Sequence, residues 1–286
     1  MRNVFSAWFA RLCTDRPRAL FVVWRRARRA LCSRAFLTSL VSMASVVSMA
    51  SMVSLAHAQA PQAEGENRLQ PWRAGPPSGE WSAPWREANL PKLKPSERSL
   101  VEQDGRAALH IRAQAAAGGL LHPLDLPGDQ PWQLSWQWRT EQHLDKARFA
   151  TREGDDYAAR VYVLLDYPLS SLPFLTRQKL RLARTFYDPD LPAATLSYVW
   201  DNRVAPGTHA RSAYTEQVEM VVLRGPEAPL GQWLTENRDL RADAIAAFGS
   251  APRRILGVVF AADSDNTGET AESYFAAPRV WAAASN

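Results

Sequence analysis

Gly154-Asp155-Asp156-Tyr157-Ala158-Ala159-Arg160-Val161-Tyr162-Val163-Leu164-Leu165-Asp166 reads as an acidic turn running into a strand. Its β-branched and aromatic content, its length and its Gly-Asp-Asp opening favour a strand over a helix. Successive side chains on a strand point to opposite faces, so Ala159, Val161, Val163 and Leu165 share one face and Arg160, Tyr162 and Leu164 share the other. Both faces are apolar enough to be covered, which predicts a place near the middle of a sheet. The second face also carries a cation and a phenol.

Strand patterns recur on either side of this stretch. Arg106 to Ala113 alternates, Gly118 to Leu124 is a short run ended by proline, and Trp132 to Arg139 sets Trp132, Leu134, Trp136 and Trp138 against Gln133, Ser135, Gln137 and Arg139. Such alternation predicts one buried and one wet face. Downstream, strands are predicted at Thr195 to Trp200, Val218 to Arg224, Gly231 to Leu234, Arg254 to Ala262 and Pro278 to Ala283. Phe174 to Tyr187 reads as a basic helix inserted between two strands, and Arg241 to Phe248 as a helix stopped by Gly249. Glu80 to Pro95, with Trp81 and Trp85 among prolines, suits an extended edge segment. Many short strands and few helices predict an all-β chain, a jelly-roll-like two-sheet β-sandwich with one or two short helices. A single-sheet α+β fold is the alternative, and it requires more helix than the sequence offers.

The N-terminal part has a different composition. Positions 1 to 34 are arginine-rich, Ala35 to Leu55 is apolar and small, and the stretch stops at Ala56-His57-Ala58, the small-x-small pattern of a cleavage site. Residues 1–58 therefore read as a signal peptide. A retained anchor is the competing reading, since about 20 apolar residues can span a bilayer, but the many serines and the adjoining cleavage site favour removal, leaving no retained span. Residues 59–79, rich in Pro, Gly, Ala and Gln, read as a flexible linker, and residues 80–286 as a single β-sandwich domain. The expected location is periplasmic or secreted.

Removal changes the charge. Residues 1–58 hold nine arginines and one acid, Asp15, so the rest carries 25 basic and 28 acidic residues and a net charge of −3 instead of +5. That gives no basic footprint for nucleic acid. Cys13 and Cys32 both lie in the leader, so structural disulfides and thiolate metal sites are excluded from the exported part.

Taken together, Gly154-Asp155-Asp156 through Tyr162-Val163, Leu196-Ser197-Tyr198-Val199-Trp200, Gly231-Gln232-Trp233 and Asp263-Ser264-Asp265-Asn266-Thr267-Gly268 resemble an uncharacterised family of exported bacterial proteins, domain of unknown function 3047. The likeness runs from about Lys92 to the C-terminus, and the basic stretch after Phe174 looks like an insertion. The resemblance implies export and a single-domain layout and transfers no catalytic residue.

Two constellations bear on function. The loop Asp263-Ser264-Asp265-Asn266-Thr267-Gly268 spaces oxygen ligands as a calcium loop does, with Asp263, Asp265 and Asn266 as candidate metal ligands. An EF-hand would place Glu at its twelfth position, where this chain has Tyr274. Calcium would therefore need remote oxygens such as Asp155, Asp156 or Asp201, and an Asx-type turn with no cofactor is the preferred reading. The second constellation is polar strand faces: Gln137 and Arg139 on one strand, Arg160 and Tyr162 on another, with Thr195 and Ser197 on a third. Convergent on a concave sheet, they would bind a polysaccharide or another envelope component, arginine offering bidentate contact to an acidic sugar. The bland alternative is a solvated sheet face.

His110, His122, His143 and His209 are dispersed and make no local zinc site. A histidine beside Tyr162 acting as base in a polysaccharide lyase is the alternative function, on fold-level analogy alone. The absence of a Gly-x-Ser-x-Gly elbow argues against nucleophilic hydrolysis, and the absence of a phosphate-binding glycine loop argues against nucleotide use. No catalytic residue is assigned.

Overall fold

The computed structural model describes residues 65–72, 81–90, 92–186 and 191–283. The signal peptide expected at residues 1–58 lies outside them. Twelve strands build two sheets. A seven-stranded sheet has the order β1 (Arg86–Asn89), β4 (Ala117–Pro127), β11 (Arg254–Asp263), β6 (Ala159–Asp166), β7 (Ala194–Trp200), β9 (Thr215–Arg224), β8 (His209–Ser212). A five-stranded sheet has the order β10 (Leu234–Asp239), β5 (Trp132–Thr140), β12 (Thr270–Ala282), β3 (Arg106–Gln114), β2 (Glu97–Gln103). The chain passes from one sheet to the other between β1 and β2, β3 and β4, β4 and β5, β5 and β6, β9 and β10, β10 and β11, and β11 and β12. This repeated crossing makes the fold a jelly-roll-like sandwich.

The stretch that opened the sequence reading forms β6, fourth in the seven-stranded sheet and buried along its whole length. Its Ala159, Val161, Val163 and Leu165 face the second sheet and join one core with Trp136, Trp138, Tyr198 and Phe275. The alternation read in Trp132 to Arg139 is observed residue by residue, the Trp and Leu positions buried and the Gln, Ser and Arg positions half-buried. Aromatic rings bridge the sheets: Trp136 lies 5.6 Å from Tyr198, Trp138 5.6 Å from Trp200 and Phe260 5.4 Å from Phe275. Trp85 and Trp132 are also buried, so the high tryptophan content serves mainly the core.

Among the described residues there are two α-helices. Helix α1 (Phe174–Phe186) leaves the end of β6 and returns to β7, and Arg184 ties it back by donating to Asp166 Oδ1 at 2.7 Å. Helix α2 (Leu240–Phe248) is capped by the Asp239 side chain, which accepts from Ala242 N, and ends at Gly249 with φ 80°. That left-handed residue supports the glycine stop read from the sequence. Among the described residues no helix is long and apolar enough to cross a membrane.

Two expectations are corrected. The strand expected from Gly231 starts only at Leu234, and the one expected at Pro278 is the end of β12, which begins at Thr270. Of residues 59–79, read as a linker, residues 65–72 are described. Leu69 is buried in the core, Arg68 N donates to Val280 O, and Gln70 N donates to His122 Nε2 at 3.0 Å.

Candidate functional site

The outer face of the seven-stranded sheet carries the side chains that alternation sends away from the core. Register places Val259, Tyr162 and Ser197 side by side on β11, β6 and β7, and Ala261, Arg160 and Val199 in the next row. Ser197 and Thr195 are fully buried here and their hydroxyls have no hydrogen-bond partner.

Arg160 is sealed in a charged cage. Its Nη1 donates to the Tyr162 phenol oxygen at 2.6 Å and lies 3.3 Å from Asp263 Oδ2, while Nη2 meets Asp155 Oδ1 at 3.3 Å. The guanidinium also sits 4.1 Å from the centre of the Tyr157 ring, within cation–π range. Burial opposes its charge, yet Asp263, Tyr162 and Asp155 together raise its proton affinity above the ordinary arginine value. Burial likewise pushes the Tyr162 phenol far above its usual range, against the pull of Arg160. Asp155 and Asp263 are raised by the same desolvation.

Beside the cage, carboxylate oxygens of Asp156, Asp263 and Asp265 lie within 4.8 Å of one another. Burial, then repulsion from Asp156, lifts Asp265 to about 6. Asp156 is held by backbone donors from Asn266 at 3.2 Å and Thr267 at 2.6 Å, and Asp263 Oδ1 accepts from Tyr157 N at 3.0 Å. Of the candidate ligands Asp263, Asp265 and Asn266, the two aspartates belong to this group, which Asp156 from the turn before β6 joins; Asn266 Nδ2 donates to Arg152 O and to the Tyr214 hydroxyl. The backbone donors to Asp156 and Asp263 come from a segment remote in sequence in each case, so the contacts tie the acidic turn to the loop and are not Asx turns.

A pocket of about 50 Å³ opens on this face. Gly118, Gly119, Ala88 and Ala261 make its apolar floor, and Tyr162, Asp263 and Asn89 bring polar groups to it. Glycine at 119 is required by packing, since a Cβ there would stand 2.4 Å from Phe260 O. Asn89 donates from Nδ2 to Glu87 at 2.8 Å, and its Oδ1 has no partner. Arg160 does not line the pocket; it holds Tyr162 from the neighbouring row of the same sheet face.

Gln137 and Arg139 are elsewhere, and the convergence expected of them with Arg160 and Tyr162 is not found. They project from the outer face of the five-stranded sheet, on the opposite side of the sandwich. Gln137 contacts Thr235, and Arg139 is engaged by Glu141 at 2.6 Å and Asp104 at 2.6 Å. Alternation assigns a side chain to a face of its own sheet, but not to a partner in the other sheet. Asn89 and the Gly118-Gly119 floor were missed from sequence; the adjacent glycines inside a strand pattern were the available signal of close approach.

Residues 83–279 match the family model described as Protein of unknown function (DUF3047). The chain belongs to this family. No curated protein matches it in sequence. Solved structures similar to this DUF3047 chain include the family 11 carbohydrate-binding module of a cellulosomal cellulase of Clostridium thermocellum, with 7% identity, 70% of this chain and 88% of that chain covered and a TM-score of 0.33. Endoglucanase cel12A from Rhodothermus marinus shows 12% identity, 68% and 90% coverage and a TM-score of 0.36. The xyloglucanase domain of NopAA from Sinorhizobium fredii shows 10% identity, 68% and 92% coverage and a TM-score of 0.37. Scores this low assign nothing to the DUF3047 chain.

Proposed function

We propose that this chain is an exported binding protein that holds a carbohydrate of the cell envelope or its surroundings in the Tyr162 pocket. The observation that carries the reading is the composition of that pocket: an apolar floor of small residues meets a phenol, a carboxylate and a buried amide oxygen without a partner. Sugars present both C–H surface and hydroxyl groups, and a site with few convergent polar atoms on an apolar floor suits them. Asn89 Oδ1 and the Asp263 carboxylate would accept from hydroxyls. At about 50 Å³ the pocket takes a ring edge or a methyl-sized substituent, with the remainder of the saccharide outside. The lyase alternative, with a histidine beside Tyr162 as base, draws no support from the pocket, whose lining residues include no histidine.

A glycan array read with the wild-type chain and with Ala261→Leu tests this. Ala261 lines the pocket, so leucine there fills it without removing a polar group. Binding by the wild type that falls at least tenfold in Ala261→Leu is expected. No binding to any saccharide, or equal binding by the filled variant, would overturn the proposal.

A further inference from the structure

A second, smaller cavity lies between the segment after β5, the turn before β6 and the end of β7. It measures about 10 Å³, and Asp156, Asp201, Asn202, His143 and Trp200 are among the residues that line it. Asp201 is 2% exposed. Its Oδ1 accepts from Arg203 N at 2.7 Å and Val204 N at 2.6 Å, while its Oδ2 has no partner. Asn202 donates from Nδ2 to Leu144 O, which can only accept; this fixes the amide orientation and leaves Oδ1 over, also without a partner.

The two leftover atoms are both acceptors, and they belong to side chains lining the same cavity. Asp156, fully buried, adds a second carboxylate to the lining. Elsewhere the buried acids have counter-ions: Arg160 serves Asp155 and Asp263, and Arg184 and Arg253 serve Asp166. Among the described residues, no arginine or lysine forms an ion pair with Asp156 or Asp201. A water molecule would supply hydrogens to the two acceptors but would leave the buried charge uncompensated.

We propose that this cavity binds a calcium ion through Asp201 Oδ2 and Asn202 Oδ1, with Asp156 as the charge behind it. The unpartnered donor atoms are hard oxygens, which select calcium or magnesium over softer metals. The room is about that of one probe sphere, enough for one ion and too little for the several waters magnesium retains. Backbone carbonyls of the lining segments would complete the shell of a flexible calcium site. An ion here staples the long segment between β5 and β6 to the end of β7. The site is distinct from the Asp156, Asp263 and Asp265 group, with which it shares only Asp156.

Terbium titration of the full chain tests the proposal, because Trp200 and Tyr157 line the cavity and can sensitise bound terbium. Saturable emission that calcium displaces is expected, at least tenfold weaker in affinity in Asp201→Asn and unchanged in Asp265→Asn. A chelator should lower the melting temperature and calcium should restore it. Absence of both emission and chelator effect would overturn the proposal in favour of a water-filled cavity. Emission lost in Asp265→Asn but kept in Asp201→Asn would overturn it in favour of the three-aspartate group. If Asp201→Asn does not fold, Asn202→Asp decides: the added charge must tighten terbium binding, and unchanged affinity rejects the site.

Discussion

Arg160 Nη1 donates to the Tyr162 phenol oxygen across 2.6 Å, between residues on the same strand and the same sheet face. The contact joins a sealed ionic cage to the wall of an open pocket, so substitutions at the two positions should be separable.

Arg160→Leu removes the cation from between Asp155 and Asp263 and leaves both carboxylates buried without it. Breaking one side of such a network costs about 3–5 kcal/mol. Urea denaturation should show that loss, and the double variant Arg160→Leu with Asp263→Asn should recover part of it. A neutral effect of Arg160→Leu would mean that the cage contributes nothing to stability.

Tyr162→Phe keeps the ring and removes the hydroxyl. Arg160 Nη1 then loses one of its two acceptors and keeps Asp263, so the cost should lie near the low end of about 1–3 kcal/mol. Saccharide affinity should fall as well, which isothermal titration would read beside the stability loss.

Gly119→Ala tests the pocket floor. The new methyl would meet Phe260 O at 2.4 Å and Ala261 Cβ at 2.9 Å, and the backbone of β11 cannot move aside cheaply. Overpacking of this kind costs about 1–3 kcal/mol. The expected readout is a lower melting temperature together with weakened binding; an unchanged melt would show that the two central strands can separate.

Asp265→Asn should stabilise the protein at pH 7, with calcium chelated. The native carboxyl titrates at about 6 against an ordinary 3.8. Below about 3.8 it is protonated in both states and contributes nothing. Between 3.8 and about 6 the native state alone holds the proton, so stability falls as pH rises through that window. The asparagine variant lacks this loss, so its advantage should be full above pH 6 and vanish toward pH 4. Melting curves across that range check the sign, and an advantage that grew on acidification would refute it.

Much of the fold was legible because it rests on local alternation. The Trp132 to Arg139 pattern and the two-sided apolarity of β6 each announced their burial. Edge and partly wet strands were harder. Glu97–Gln103 forms β2 with mixed exposure, and its charged residues conceal the strand. The first half of β12 follows directly on the Gly268 loop, and its Glu272 and Tyr274 reach the polar face, which hides the period.

The candidate site divided in the same way. By itself the sequence determined that Arg160 and Tyr162 share a strand face, that Asp263 and Asp265 share a loop, and that the chain carries the strands of a sandwich. These follow from bond geometry and the period of two along an extended chain. Only the tertiary structure decided that Gln137 and Arg139 lie on the far side, that Asn89 and Gly119 meet Tyr162, and that Asp201 faces a cavity shared with Asp156. Those are matters of which strands become neighbours, and that choice is made by burial summed over the whole core.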